Sequence, residues 1–598
     1  MRIGLLTDGG YPYATGESRL WCDRLVRGLA QHEFDIYALS RSAHQEGNGW
    51  IQLPSSVRGV RTARLWSAEG DGRAYGRRER RRFVGHFGDL ITAVCAPDEG
   101  AAESAFAEGL YGLAELARDH GGLATALRSE GALRILESAC HAPGARRSVR
   151  GATVPDYLVF ADQLERALRP LSLDWYTDDD GLAAVDLCHA TTGGSAALPG
   201  LLAKRLFGTP LLVTEYGVQL RAHYLAAGPG GEAPLRAPVR ALLAAFRGRL
   251  AAEVYRQAAV ITPGNTHARR WQERCGADRA KLRTVYPGME TERFSALGEG
   301  GDGGGHGDGG GHAGDPRTLV WVGRIEPAKD LISLLHAFAD IRKEEPDARL
   351  RIIGAAAQGP EATTYLAHCR ALAAQLFPDE AVDAHAVGDN CVSFEEVGGP
   401  AAPELVDAYA AGGVIVLSSI VEGFPVSLVE AMFCGRATVS TDVGAVVEVI
   451  GGTGLVVPPR NPRALAGACV ALLRDPERRA RLGAAARARA LELFTVEQNV
   501  AAFRGIYLEL ISHAPVRRSA ETVDAHGEPL PFANPAEAYV PGRWTAGQAR
   551  TVPMPPPAAV PVPMSMSLTG ASRAPRPTEA VGVGAGAGAG RSLGESDV

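Results

Sequence analysis

The stretch Ser418 to Gly444, SSIVEGFPVSLVEAMFCGRATVSTDVG, reads as an apolar strand that runs into a glycine-containing loop, a helix opening at Pro425, and a second apolar strand. Strand, short loop and helix in that order make one unit of a parallel sheet covered by helices. Proline in a first helical turn leaves unpaired amides and the positive dipole end facing whatever lies ahead, a place suited to an anion. Glu422 sits in the loop, and Glu430 lies inside the helix about a turn and a half deeper. Two carboxylates beside an anion site suit paired hydroxyls, such as those of sugars and riboses. Solvated helix glutamates are the alternative reading, and the apolar neighbours Phe424, Leu428, Val429, Met432 and Phe433 weigh against it.

Upstream, VWVGRIEPAKD at residues 320–330 delivers Arg324 from the end of a strand and Lys329 at the mouth of the next helix. One planar and one point-like cation so placed can neutralise a diphosphate leaving group. An Arg and a Lys in one loop are commonly just solvated, but the carboxyl end of a parallel strand is where α/β sheets bind ligands.

The same alternation extends on both sides. RTLVWVGRI, ARLRIIGAA, GGVIVLSS and ATVSTDVG read as strands separated by helices, the first helix carrying Leu331, Leu334, Leu335, Phe338 and Ile341 on one face. Earlier, RIGLLTD, FDIYALS, DLCHATT, TPLLVTEYG, AAVITPG and LRTVYPG read as strands of another α/β domain. Between about residues 98 and 182 the strand signal gives way to helical runs, an insertion expected near the cleft as a lid or acceptor platform. Expected domains are therefore residues 1–297, a glycine-rich linker over 298–315, a second α/β domain over 316–495, and a closing helix over 496–515 with Val496, Val500, Phe503, Tyr507 and Leu510 at helical spacing. The linker's G-x-G-x-x-G matches follow no strand and carry no phosphate-binding meaning. Its His306 and His312 could catch a metal, and solvated histidines are the plainer reading. The Pro-, Ala- and Gly-rich stretch 516–598 reads as disordered, with a P-x-x-P match that an aromatic groove could take.

A formal charge of −6 over 598 residues offers no basic field for a nucleic acid backbone. Nine scattered cysteines, with no C-x-x-C pair, suit a reducing compartment. The opening MRIGLLTDGG enters a strand directly, without the apolar core of a secretory signal, and no apolar run approaches the ~20 residues of a membrane span. A cytoplasmic location is expected. The arginine-rich stretch 73–83, with Arg77, Arg78, Arg80, Arg81 and Arg82, could rest on an anionic membrane or guide an acidic acceptor; a solvated helix face is the commoner meaning of such a run.

Taken together, residues 316–495 resemble the family 4 glycosyltransferases, whose signature is a Glu-x7-Glu pair inside E-G-F-P-x-S-L-x-E-A, here intact with the pair at Glu422 and Glu430. The first half, with DGGYPYATGESRLWCDRLVRGL, DLCHATTGGSAALPGLLAKRLFGTPLLVTEYGVQLRAHYL and a helical insertion, is similar to the PelF-type exopolysaccharide glycosyltransferases. The resemblance implies an α/β GT-B fold, two Rossmann-like domains facing across a cleft, with the last helix crossing back onto the first. It implies a retaining transfer of a hexose from a nucleotide diphosphate sugar, with UDP favoured, to a glycan or other hydroxyl acceptor, and no obligatory metal or other cofactor. Peripheral contact with a membrane or a polysaccharide synthesis complex is the accompanying expectation.

Carried over by residue, Glu430 would hold the donor ribose and Glu422 the transferred sugar. Arg324 and Lys329 would hold the diphosphate, helped by backbone amides from Gly423 and Phe424 to Ser427. Two positions depart from the family. Tyr216 stands where relatives carry a histidine that touches the donor, with His189 as a conceivable substitute, and the first loop reads Gly16, Glu17, Ser18 in place of G-G-V. These departures motivate the alternative, a nucleotide-sugar-binding component of a polysaccharide assembly complex with impaired turnover. A nucleotide-sugar epimerase and a glycan phosphorylase share the architecture but lack support in the motifs.

Overall fold

The computed structural model describes residues 1–15, 18–67, 72–97, 100–176, 181–225, 235–298, 314–357, 359–378 and 390–514. Most of the expected glycine-rich linker, with His306 and His312, lies outside the described residues, as does the expected disordered tail from 516 on.

Runs such as IGLLT and LVWV cannot alternate inward and outward; they bury on both faces, which a parallel sheet covered by helices provides. Among the described residues, twelve strands form two such sheets. The first holds β1 (Arg2–Asp8), β2 (Glu33–Ser40), β3 (Val57–Arg64), β4 (Leu187–Ala190), β5 (Leu211–Glu215) and β6 (Val260–Pro263), in the order β3-β2-β1-β4-β5-β6. The second holds β7 (Asp315–Val322), β8 (Arg349–Ile353), β9 (Val392–Glu395), β10 (Gly412–Leu417), β11 (Ala437–Thr441) and β12 (Leu455–Val457), in the order β12-β11-β10-β7-β8-β9. Every pairing is parallel, with Leu5 opposite His189 in one sheet and Trp321 opposite Ile352 in the other. Renumbered within each sheet, both orders are 3-2-1-4-5-6, the doubly wound arrangement, with reversal points between β1 and β4 and between β7 and β10.

LRTVYPG does not become a strand. Leu282 bridges Ile261, and the amides of Arg283 and Val285 donate to Ile261 O and Pro263 O, each at 2.9 Å, so the segment lies along β6 without a full ladder. Beyond Val285, Tyr286 bonds Glu448 and the chain becomes a crossing between the lobes.

Helices follow β3 from Arg77 onward, earlier than the expected start near residue 98. Phe83, Phe87, Leu90, Ile91 and Val94 of the helix Arg77–Cys95 are buried, and they share one core with Leu6 and Tyr37 of the sheet and with Phe106 and Phe160 of later helices. The helical segment is thus a packed wall of the first lobe. Arg77, Arg78, Arg80 and Arg81 are exposed at the start of its first helix. No helix among the described residues is long and apolar enough to cross a membrane.

The helix Val496–His513 packs Phe503, Ile506, Tyr507 and Leu510 against Ile3, Leu5, Cys22 and Val26 of the first lobe. It gets there beside the other crossing: Met289 N donates to Phe494 O at 2.9 Å and Val496 N to Met289 O at 3.2 Å. Gly288 permits this approach, since a Cβ there would stand 2.8 Å from Asn499 Cβ and 2.9 Å from Val496 Cα.

Candidate functional site

The second sheet reverses between β7 and β10, so the loops leaving those strands diverge and open a crevice at their carboxyl ends. Gly323 and Arg324 leave β7. Gly354, leaving β8, passes so close that a Cβ would lie 1.8 Å from Gly323 O, a passage open only to glycine. A single 3-10 turn, Pro327–Lys329, then leads into the helix Leu331–Glu344, capped by Asp330, whose side chain accepts from Ser333 N at 3.3 Å. Its apolar stripe, Leu331, Leu334, Leu335, Phe338 and Ile341, is buried as spaced.

The turn is pinned to the loop after β10. Ile420 N donates to Ala328 O at 2.9 Å, and Ser418 Oγ donates to Lys329 O at 2.8 Å. These bonds bring Lys329 Nζ into an ion pair with Glu422 Oε1, and Ser419 Oγ donates to the same oxygen at 3.1 Å. The two side chains are only 18% and 10% exposed, so the pair is largely desolvated.

The following helix spans Val426–Phe433, with Pro425 outside it at ψ 81° as the capping residue, one position from the start expected from sequence. Val426 N is taken by Phe424 O at 3.0 Å, which leaves the amides of Gly423 and Phe424 without a hydrogen bond among the described residues. Ser427 sits half-buried in the helix's first turn. The Phe424 ring meets Phe494 edge-on at 5.7 Å. Behind the loop, Thr441 Oγ1 donates to Ser419 O at 2.6 Å and Ala445 N to Gly423 O at 3.1 Å. Glu430 faces Tyr409, whose hydroxyl donates to Oε2 at 2.7 Å. Burial raises the Glu430 carboxyl above its ordinary pKa, while the Tyr409 bond and the charges of Arg293 and Arg24 oppose that rise.

Lys329, Glu422 and the Gly423–Ser427 stretch are therefore drawn together. Arg324 stands at the same strand end, exposed and without an ion-pair partner among the described residues. Gly16 and Glu17 lie outside the described residues. Tyr216 is held elsewhere. Its ring lies 5.2 Å from Trp21 and against Gly264, where a Cβ would come within 2.6 Å, and its hydroxyl accepts from Asn499 Nδ2 at 3.1 Å. Burial raises the Tyr216 hydroxyl pKa. His189 is a packed strand residue. Its ring nitrogens are bonded to Tyr507 OH at 2.8 Å and Thr214 Oγ1 at 2.6 Å, it has no exposed surface, and burial lowers its pKa to about 3. It has no ring nitrogen left for a ligand.

Sequence reasoning missed three contributors. Arg221, on the helix Gln219–Leu225 of the first lobe, donates through Nη2 to Glu422 O at 2.7 Å. Glu448 of the second lobe accepts from Thr266 N at 2.6 Å and from Tyr286 OH at 2.9 Å. Glu215, buried at the end of β5, accepts from Tyr255 OH and from Gly193 N at 3.3 Å, and so shapes the loop edge beside Tyr216. Each partner lies far away in the chain, so no local spacing marked it.

Residues 316–475 match the family described as "Glycosyl transferases group 1", and residues 1–280 match "Domain of unknown function (DUF3492)". The D-inositol 3-phosphate glycosyltransferase of Kineococcus radiotolerans is 32% identical over 230 residues, 36% of this chain and 49% of the relative. That of Frankia alni is 33% identical over 218 residues, 36% of this chain and 50% of the relative. The chain spans about half the length of these curated relatives. Among solved structures, Anabaena HepE in complex with UDP aligns with a TM-score of 0.49 at 14% identity, covering 85% of this chain and 100% of that one. Sucrose-phosphate synthase of Thermosynechococcus elongatus aligns with a TM-score of 0.49 at 17% identity, covering 86% of this chain and 99% of that one.

Proposed function

We propose, from the glycosyl transferases group 1 region at residues 316–475, that this chain is a retaining hexosyltransferase using a nucleotide diphosphate sugar, UDP-sugar first among them, and a glycan or other hydroxyl acceptor. The observation that carries the reading is the Lys329–Glu422 pair at the reversal point between β7 and β10, with Glu430 deeper in the adjoining helix.

In this reading the nucleotide enters along the helix Val426–Phe433, and the ribose hydroxyls donate to Glu430, whose Oε2 already takes the Tyr409 hydroxyl. The diphosphate meets the amides of Gly423 and Phe424 and the exposed Arg324. Lys329 then exchanges part of its bond with Glu422 for a phosphate oxygen. Glu422 keeps Ser419 on one oxygen and turns the other to a hydroxyl of the transferred sugar. As the anomeric carbon–phosphate oxygen bond breaks, negative charge gathers on the departing diphosphate, and fixed cations and amides lower that barrier most. The acceptor oxygen bonds the anomeric carbon from the same face, and its proton passes to the departing phosphate oxygen. An exopolysaccharide setting is motivated by the sequence resemblance of the first half to the PelF-type enzymes, and a peripheral contact by the exposed Arg77, Arg78, Arg80 and Arg81.

One observation favours a second reading. With its hydroxyl accepting from Asn499 and its ring on Trp21, Tyr216 is a lobe-to-helix brace, and a chain in which it is held there, without the positive charge a histidine could carry, would bind nucleotide sugar with impaired turnover.

Nucleotide release from a panel of UDP-, GDP- and ADP-sugars separates the two. Turnover of one donor, with Glu430→Ala weakening nucleotide binding and Glu422→Ala mainly lowering turnover, supports the transferase. Binding without release, with or without acceptors, supports the binding component. Unchanged kinetics in both variants would sink the site assignment.

A further inference from the structure

Beside the helix Gln219–Leu225 lies a cavity of about 820 Å³, within the roughly 300–1,000 Å³ range of small-molecule sites. The described residues that line it all belong to the first lobe, so it is separate from the crevice of the second sheet. Its floor is the helix Ala237–Gln257, which turns Leu242, Phe246 and Leu250 into the core and shows the cavity the small residues Ala241, Ala244, Ala245, Gly248 and Ala252. That row keeps the space open: a Cβ built on Gly248 would meet nothing nearer than Leu220 Cδ2 at 3.8 Å. His223 Nε2 donates to Arg240 O at 2.9 Å and ties the two helices together at the cavity wall.

Four arginines line this cavity. Two of them fasten the chain that leaves the helix Arg77–Cys95: Arg146 Nε donates to Ala96 O at 2.7 Å, and Arg249 Nη2 to Pro97 O at 2.8 Å. The other two, half-buried Arg240 and exposed Arg274, have no side-chain hydrogen bond or ion pair among the described residues. Glu103, exposed in the first turn of the helix Gly100–His120, is the one carboxylate among the described lining residues, and it can match only one of the two. An aromatic rim completes the wall. Arg274 Cζ lies 5.5 Å from the centre of the Trp271 ring, and that ring is 6.4 Å from Tyr224, which lines the cavity and is 56% exposed.

Each kind of group on this wall has its counterpart in an acidic sugar. The guanidinium fork presents paired donors matched to a carboxylate or a phosphate. Glu103 accepts hydrogen bonds from ring hydroxyls, and the Ser148 hydroxyl, also on the wall, can both give and accept them. Tyr224 offers a broad apolar face with a polar tip, suited to a ring that is apolar on its faces and polar at its edge. A bare anion would use the arginines alone, and a neutral sugar would leave them unmatched.

We infer that this cavity is a second binding site, for an acidic sugar unit, with the oxyanion on Arg240 and Arg274 and the ring on Tyr224. The inference stands on the cavity and its wall and does not depend on the donor reading. Leu220, His223 and Tyr224 line the cavity from the same helix whose Arg221 donates to Glu422 O at 2.7 Å, so an occupant touches the element that holds the Glu422 loop.

Calorimetric titration of the full-length, nucleotide-free chain against trigalacturonate, its neutral trimethyl ester, D-glucose 6-phosphate and inorganic phosphate tests it. At least one of the two acidic sugars should bind about tenfold or more tighter than both the ester and inorganic phosphate, the strength of a charge-assisted pair. Whichever acidic sugar binds better assigns the oxyanion as carboxylate or phosphate. Arg240→Gln and Arg274→Gln should each weaken that binding about tenfold with little change in Tm, since neither side chain has a hydrogen bond or ion pair to lose among the described residues. Ala244→Leu puts a good helix former on the cavity floor and should abolish the binding by filling the space. Acidic sugars that bind no tighter than the ester, or inorganic phosphate that binds as tightly as they do, overturn the inference. So does acidic-sugar binding that stays at full strength in both arginine variants or in Ala244→Leu, which would place the ligand elsewhere on the chain.

Discussion

Arg221 and Glu422 join the two lobes: the guanidinium of one donates at 2.7 Å to the main-chain oxygen of the other. The bond holds the loop that carries the proposed sugar-binding carboxylate from the side opposite Lys329, which grips the same residue through its carboxylate. Glu422 is thereby fixed at both ends, by a first-lobe cation on its backbone and a second-lobe cation on its side chain. Burial lowers the Arg221 pKa, and the charge of Glu422 offsets only part of that fall.

Arg221→Ala removes this hold without touching the proposed donor contacts. A hydrogen bond from a charged group contributes about 1.5–3 kcal/mol, so kcat for nucleotide release should fall about 10- to 100-fold, with KM for the donor moving less. Steady-state kinetics on the preferred nucleotide sugar check this. An unchanged kcat would mean that the contact is incidental to turnover.

Gly444 approaches the same carbonyl from below. Its φ is +57°, and a Cβ there would stand 2.4 Å from Glu422 O. Gly444→Ala therefore adds backbone strain of about 1–3 kcal/mol and pushes on the oxygen that Arg221 binds. Tm and kcat should fall together, and combining Gly444→Ala with Arg221→Ala should cost less than the sum, because both act on one loop. Additive losses in that double variant would show two independent effects.

What was legible in the sequence follows from how local each signal is. Strands with near-continuous apolar runs, β1, β2, β7 and β10, announce themselves, because burial on both faces leaves only apolar residues. β3, VRGVRTAR, carries no such run, because it is an edge strand with an arginine at every third position, and β9 and β12 are edge strands of four and three residues. The same division holds in the site. Glu422 and Glu430 lie on one loop and helix, so spacing reveals them, whereas Arg221, Tyr409 and Asn499 reach their partners from distant segments and carry no periodic mark. Tyr216 was legible as a departure from a pattern, but its engagement with the closing helix appears only in three dimensions.

Glu430 offers a test by pH. Burial raises its carboxyl above the ordinary value of 4.5, so the folded protein holds that proton more tightly than the unfolded chain. Stability from this group is full below pH 4.5 and is lost as pH rises through the raised value. Glu430→Gln keeps an acceptor for Tyr409 and does not titrate. The stability of wild type relative to Glu430→Gln should therefore decline on going from pH 4 to pH 7, while the variant binds the nucleotide about tenfold more weakly at pH 7. Denaturant melts across that range read the first effect and calorimetry the second. A difference that grows with pH would mean that hydrogen bonding to the ionised carboxylate outweighs its burial.

His189 predicts the opposite slope. It joins β4 to β5 through Thr214 and to the closing helix through Tyr507, and burial holds its pKa near 3. The unfolded chain takes up a proton near the ordinary histidine value of 6.5, and the folded one does not until far lower pH. Stability from this group is thus full above pH 6.5 and falls as pH drops toward 3, at up to about 1.4 kcal/mol per unit. His189→Asn can keep only one of the two bonds, so it should be about 1–3 kcal/mol less stable at pH 8, and the gap should narrow as pH falls to 5. His32, also held low at about 4 by burial, bends both curves alike and cancels in the difference. Denaturant melts at pH 8, 7, 6 and 5 read the gap directly, and a constant gap would mean that His189 carries its proton inside the fold.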